Sequence, residues 1–245
     1  MAIREARSQV PEGRSMRPDE IASLSQMWAR RRRGQDTLPL LVASPAVRRA
    51  LQPVAQRLLA EARAASVYVV TSAQPGEGKT LVAASLGVIL AETAGKKVLL
   101  IDADVRNRSI NQLFGLAVSP GLGDCLRGQS TLQEAVSEVD KLHVLPAGGG
   151  DDSRRLLHSG SAKQLLTEVR KRYDLAIVDL PPLLSNDEAV ALCDWSDGAI
   201  MVVRANSTGS LAVQQALETI DSRKLVGVVL NQERPPLPRW LRRWF

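Results

Sequence analysis

Lys79 and Thr80 stand directly behind Gly76-Glu77-Gly78 in the stretch TSAQPGEGKT, and these residue types in this order suit a polyphosphate. The common pattern is G-x-x-x-x-G-K-[ST], in which backbone N–H groups surround phosphate oxygens, the lysine reaches the β and γ oxygens and the hydroxyl meets Mg²⁺. Ala73 replaces the first glycine, which is harmless if that position keeps a negative φ. Pro75 pre-sets part of the turn, and Gly76 and Gly78 supply the permissive dihedrals. The expected nucleotide contacts are Pro75, Gly76, Glu77, Gly78, Lys79, Thr80 and Leu81. Further along, VLLIDADVR places Asp102 and Asp104 two residues apart, on the same side of extended chain. Two carboxylates beside a triphosphate can hold Mg²⁺, and one can accept a hydroxyl proton. LAIVDLPP then ends a third apolar run in Asp179, a second anchor for the metal. Taken singly, the three motifs also read as a Gly/Pro turn, a solvated acidic turn and a strand that ends in Asp. Taken in order on one sheet, they make a site for ATP and Mg²⁺, with Thr80, Asp102, Asp104 and Asp179 on the metal and Lys79, Asp102 and Asp104 in the chemistry.

The elements that must position these groups are short apolar runs alternating with helical stretches. Strands are expected at 67–72, 97–102, 142–147, 174–179, 198–203 and 224–231, with helices at 79–94, 162–173 and 210–220. Continuous apolar strands separated by helices predict an α/β fold, a parallel β-sheet with helices on both faces. Ligands of such sheets sit beyond the carboxyl ends of the strands, where all three motifs fall. A further helix is expected from Pro45 to Ala64, with Ser44 as its N-cap and Pro53 able to split it in two.

Charge divides the chain into three parts. Residues 1–66 carry 12 Lys and Arg against 6 Asp and Glu, residues 67–231 carry 16 against 19, and residues 232–245 carry 4 against 1. A mildly acidic globular part argues against nucleic acid, and the basic ends suit anionic lipid or an acidic partner. Residues 1–43, with the run Arg30 to Arg33, read as a flexible basic arm with a short helix near 18–32. Residues 44–231 form the catalytic domain. Residues 232–245 form a Pro-rich linker and a tail, PRWLRRWF, whose Trp240, Leu241, Trp244 and Phe245 share one helical face opposite Arg239, Arg242 and Arg243. That pattern predicts a helix lying on an anionic membrane surface, with packing on a protein or a polyproline ligand as the competing readings. Cys125 and Cys193 lack metal-ligand spacing and read as packing residues of a reducing compartment, and His143 and His158 build no zinc site. The first residues lack an apolar signal core, and no apolar run approaches a membrane span, so the expected location is cytoplasmic.

The wording of the motifs resembles the bacterial tyrosine kinases (BY-kinases), within the MinD/ParA-like P-loop superfamily. It is carried by Ser72-Ala73-Gln74-Pro75-Gly76-Glu77-Gly78-Lys79-Thr80, Asp102-Ala103-Asp104-Val105-Arg106 and Asp179-Leu180-Pro181, with FGLAVSPGLGDCLRG, LHVLPAG, DGAIMVVRANST and GVVLNQ around them. Gln74 stands where MinD/ParA-type ATPases carry a lysine used across a dimer interface, as expected of the kinase branch. The resemblance implies ATP-dependent phosphoryl transfer in capsule or exopolysaccharide synthesis. It implies a membrane polysaccharide co-polymerase as partner, self-association, and a place on the cytoplasmic face of the inner membrane. It also puts Asn231 near adenine and makes Arg204 a family position without a stated role. Two family features are missing from the sequence. The only tyrosines are Tyr68 and Tyr173, neither in a tail, and an E-x-x-R-x-x-R oligomer motif is not formed around Arg48, Arg49 and Arg57. A nucleotide-gated binding module without kinase activity is therefore the alternative reading.

Overall fold

The computed structural model describes residue 42 and residues 44–62, 65–93, 95–150 and 153–232. In chain order the elements are α1 (Pro45–Glu61), β1 (Ser66–Ser72), α2 (Lys79–Thr93), β2 (Val98–Asp102), α3 (Ser109–Phe114), α4 (Leu122–Leu126) and α5 (Leu132–Ala135). They continue with β3 (Ser137–Val139), β4 (Leu142–Leu145), α6 (Ser153–Leu156), α7 (Gly160–Arg172), β5 (Leu175–Asp179) and a 3₁₀ turn at Leu183–Ser185. The last are α8 (Asp187–Trp195), β6 (Gly198–Arg204), α9 (Ser210–Glu218) and β7 (Leu225–Asn231). The strands form one sheet in the order β3-β4-β2-β5-β1-β6-β7. Every pairing is parallel except that of β3 with β4. The carboxyl ends of β1, β2, β5, β6 and β7 therefore lie along one edge.

Alternation within the buried strands divides the core between two faces. Val67, Val69, Leu99 and Ile101 point to one face, where Leu165, Leu166 and Val169 of α7 and Ala189, Leu192 and Cys193 of α8 cover them. Tyr68, Val70, Val98 and Leu100 point to the other, against α2 and α1. Helix α2 is apolar almost all round, with Val82 through Ala91 buried, because it is enclosed by the sheet on one side and α1 on the other. Leu51, Ala55 and Leu58 form the matching stripe on α1 at helical spacing. Arg48 of α1 closes the pair with two hydrogen bonds to Glu92 of α2, at 2.5 and 2.8 Å.

The predicted strands and helices are present, with differences that have physical causes. Helix α1 stops at Glu61 rather than Ala64. It runs through Pro53 without splitting, since Pro53 faces solvent and the carbonyl it leaves unpaired can be hydrated. The strand expected over 142–147 ends at Leu145, and the antiparallel edge strand β3 was not foreseen from its three residues. Val42, assigned to the basic arm, is fully buried with the α1–α2 face. The rest of the arm and the amphipathic tail over 233–245 lie outside the described residues. Cys193 is buried and Cys125 partly so, and burial pushes their thiols up to about 12 and about 11, as suits packing residues.

Candidate nucleotide site

The loop between β1 and α2 is the cradle that the sequence suggests. Gly76 and Gly78 have φ values of 80° and 91°, in the left-handed region that favours glycine, while Ala73 is absent from the positive-φ positions and is buried. Space above Gly76 is open, whereas a side chain on Gly78 would run into the amide of Asn231. The first-turn N–H groups of α2 have no intrahelical acceptors, so they and the helix dipole favour an anion at this end.

Lys79, at the start of α2, is buried and lies between two aspartates. Its Nζ donates to Asp104 Oδ2 at 2.6 Å and is 3.9 Å from Asp179 Oδ1. Burial pushes the ammonium pKa down, but the charges of Asp179 and Asp104 outweigh this and raise it above the ordinary lysine value. Asp104 is pushed up by burial yet ends below the usual carboxylate range, because Lys79 and Asn107 hold its charged form. Asn107 contributes its side-chain amide to Oδ2 at 2.9 Å.

Asp102 and Asp179 come from stretches 77 residues apart, and strand register makes them neighbours: they are paired at the ends of β2 and β5. Both are fully buried. Desolvation, with the Asp179 charge behind it, lifts Asp102 to about 8. Desolvation lifts Asp179 to about 6, with Lys79 and the Thr80 hydroxyl pulling the other way. Their hydrogen bonding differs. Asp102 accepts from Asp104 N at 3.1 Å and from Ile110 N at 3.0 Å, so it holds the turn that carries Asp104. Neither oxygen of Asp179 has a hydrogen-bond partner. A buried carboxylate with both oxygens unpartnered beside a threonine hydroxyl is a suitable donor for a hard cation. Among the described residues no three acidic, His or Cys side chains form a metal cage by themselves. Mg²⁺ does not need one, since it is commonly held by one or two carboxylates together with substrate phosphates and water. Thr80, Asp179 and Asp104 fit that role, and each Asp102 oxygen keeps a second lone pair for a metal-bound water.

Glu77 and Asn231, expected to touch the nucleotide, have structural partners as well. The buried Glu77 carboxylate accepts from Gln74 N at 2.7 Å, from Arg204 N at 3.5 Å and from the Thr208 hydroxyl. It thereby fastens the loop to the end of β6, and gives the Arg204 position a contact that the sequence left unassigned. Asn231 donates its amide to the Glu77 carbonyl at 2.9 Å, tying the end of β7 to the same loop. Pro75 and Gly76 are exposed, and Leu81 packs partly buried against the α2 core. Thr208 is the residue that sequence reasoning missed, because only the fold brings it to Glu77.

A cradle after a central parallel strand, an invading lysine and aspartates closing the neighbouring strands place the chain among the P-loop nucleotide-binding proteins. Residues 65–231 match the family described as an AAA domain. Over 172 residues the chain is 37% identical to Tyrosine-protein kinase YwqD of Bacillus subtilis (strain 168), spanning 68% of this chain and 72% of that protein. Succinoglycan biosynthesis transport protein ExoP of Rhizobium meliloti (strain 1021) is 35% identical over 174 residues, which are 68% of this chain and 22% of that longer protein. The kinase domain of Escherichia coli tyrosine kinase ETK has the same fold with a TM-score of 0.70 at 25% identity, covering 85% of this chain and 87% of that chain. The chain belongs to the bacterial tyrosine-kinase family of P-loop proteins.

Proposed function

We propose that this protein transfers the γ-phosphoryl group of Mg-ATP to tyrosine and acts in exopolysaccharide or capsule assembly beside a membrane co-polymerase. The observation that carries the chemistry is the position of the Lys79 ammonium, 2.6 Å from Asp104 and 3.9 Å from Asp179, at the mouth of the glycine loop. Phosphate oxygens compete for that ammonium, and the loop N–H groups orient them. Thr80 and Asp179 would hold Mg²⁺, which would neutralise phosphate charge. Asp104, freed as Lys79 turns to phosphate, would take the proton of the attacking hydroxyl. Asp102 fixes the turn that carries it, and Glu77 and Asn231 keep the loop seated on β6 and β7.

The relatives' names support the kinase and polysaccharide parts of this reading. No helix among the described residues is long and apolar enough to cross a membrane. A peripheral position on the cytoplasmic face of the inner membrane would then depend on the basic tail and the co-polymerase. One observation favours a second reading. Tyr68 and Tyr173 are only 3% and 8% exposed, so neither is an acceptor in the folded chain. The acceptor then lies outside these residues, or is water in a nucleotide-gated ATPase. Incubation with γ-labelled ATP and the cytosolic segments of a co-polymerase separates the two: label on tyrosine supports the kinase, and label found only as inorganic phosphate supports the gated ATPase.

A further inference from the structure

A cleft of about 670 Å³ opens beside the candidate site, within the usual size range of ligand pockets. Val105, Arg106 and Arg108 line it from the turn after β2, Arg155 and His158 from α6 and the turn that follows, and Asp187 from the start of α8. Arg106 is two residues beyond Asp104, and the turn between them is firmly built. Asn107 N and Arg108 N both donate to the Asp104 carbonyl, at 3.1 and 2.9 Å. Arg108 keeps its place with φ at 49°, uncommon for a residue with a side chain, and its Nε donates to the Val105 carbonyl at 3.1 Å. Among the described residues neither Arg106 nor Arg155 is in an ion pair, and both are exposed. Among the described residues lining it, Asp187 is an exposed carboxylate and Glu188 a buried, already engaged one.

Strand order gives this cleft its meaning. Asn231 and Glu77 tie the glycine loop to β6 and β7 on one side of β1, whereas the arginines follow β2 on the other side, past Asp179 of β5. A nucleotide with its base on the Asn231 side and its phosphates at Lys79 would direct its γ-phosphoryl group towards the β2 side, where the cleft opens. In-line transfer needs the acceptor opposite the leaving ADP, on that side. We propose that the cleft docks the acceptor, an acidic tyrosine-bearing segment of a partner protein, with its carboxylates on Arg106, Arg108 and Arg155. In the step it serves, the phenol oxygen forms a bond to the γ-phosphorus as the bond to the β-phosphate oxygen breaks. ADP leaves with the electron pair, and the phenolic proton passes to Asp104. Arginine suits this docking because its planar fork binds carboxylates in two-point contacts.

The inference rests on the phosphoryl-transfer function proposed above, and binding and transfer can be read separately. The probes are two fluorescently labelled peptides with one tyrosine each, flanked by glutamates in one and by glutamines in the other. Anisotropy against the Mg-ADP-loaded full chain should show the glutamate peptide binding at least about tenfold more tightly. The double variant Arg106→Ala/Arg155→Ala, and Arg155→Glu alone, should abolish that preference while leaving ATP hydrolysis without peptide and the melting temperature unchanged. Equal binding of the two peptides, or an unchanged preference in both variants, would overturn the docking role. Arginine-dependent binding of the glutamate peptide without any phosphotyrosine would leave docking intact and refute the kinase function instead.

Discussion

Replacing Asp179 by asparagine should make the metal-free protein more stable and shrink the stabilisation that Mg-ATP adds. Asp179 is fully buried, neither carboxylate oxygen has a hydrogen-bond partner, and its nearest cation is 3.9 Å away. Burial lifts its pKa from 3.8 to about 6, so near pH 7 the fold holds an ionised group that it disfavours. One pKa unit corresponds to about 1.4 kcal/mol, which puts the penalty at no more than about 3 kcal/mol. Asp102 titrates with it and Lys79 offsets part of the cost, so a single substitution should recover about 1–3 kcal/mol. Asparagine keeps the shape and removes the charge, and Lys79 retains Asp104 at 2.6 Å. For a domain of this size each kcal/mol moves the melting temperature by about 2–4 °C. Thermal unfolding in EDTA should therefore show the variant melting about 2–12 °C above the wild type. Mg-ATP at about a hundred times its Kd should raise the wild type by the equivalent of about 2.7 kcal/mol, and the variant by less than half of that. A variant that melts several degrees lower in EDTA, or that keeps the full Mg-ATP shift, would refute the assignment of Asp179 to the metal.

The same two aspartates predict a pH profile. With Asp102 raised to about 8 and Asp179 to about 6, these two groups bind more protons in the folded chain than in the unfolded chain between about pH 4 and 8. Melting temperatures in EDTA should fall as pH rises through that window, and Asp102→Asn/Asp179→Asn should flatten the slope; an unchanged slope contradicts the assignment. Gly78→Ala places a side chain against the Asn231 amide at a φ of 91°, so calorimetry should show loss of ATP binding and melting should drop by the equivalent of about 1–3 kcal/mol. A chain ending at Gln232 should keep ATP binding but lose co-sedimentation with anionic vesicles, and equal sedimentation of the two forms would leave the tail to protein packing.

The fold was readable because a sheet buried on both faces demands continuous apolar strands, and VYVVTS, VLLID, LAIVD and GAIMVV meet that demand without ambiguity. The site was readable for the same reason, since each run ends in the residue that projects from the sheet edge. Strand β3 was not readable: Ser137–Val139 is held by pairing with β4 and has no apolar pattern of its own. Division of labour among the carboxylates was also hidden. Asp102 and Asp179 look alike in sequence, yet one accepts from the backbone of Asp104 and Ile110, while the other has only Lys79 at 3.9 Å and the Thr80 hydroxyl nearby. The clasp of Glu77 on Thr208 spans 131 residues, and the arginine cleft joins Arg106 to Arg155, so both depend on topology rather than local spacing.

Calorimetric titration of ATP into the wild type and Lys79→Met, each with Mg²⁺ and with EDTA, tests most directly whether Lys79, Thr80, Asp104 and Asp179 form one Mg-nucleotide site. Lys79 is the cation that both phosphate and the two aspartates share. The wild type should bind ATP tightly only with Mg²⁺, and Lys79→Met should lose at least about tenfold in affinity, with melting in EDTA also lowered because Asp104 and Asp179 are left without their counter-ion. Equal affinity in the two proteins, or wild-type binding indifferent to Mg²⁺, would contradict the site.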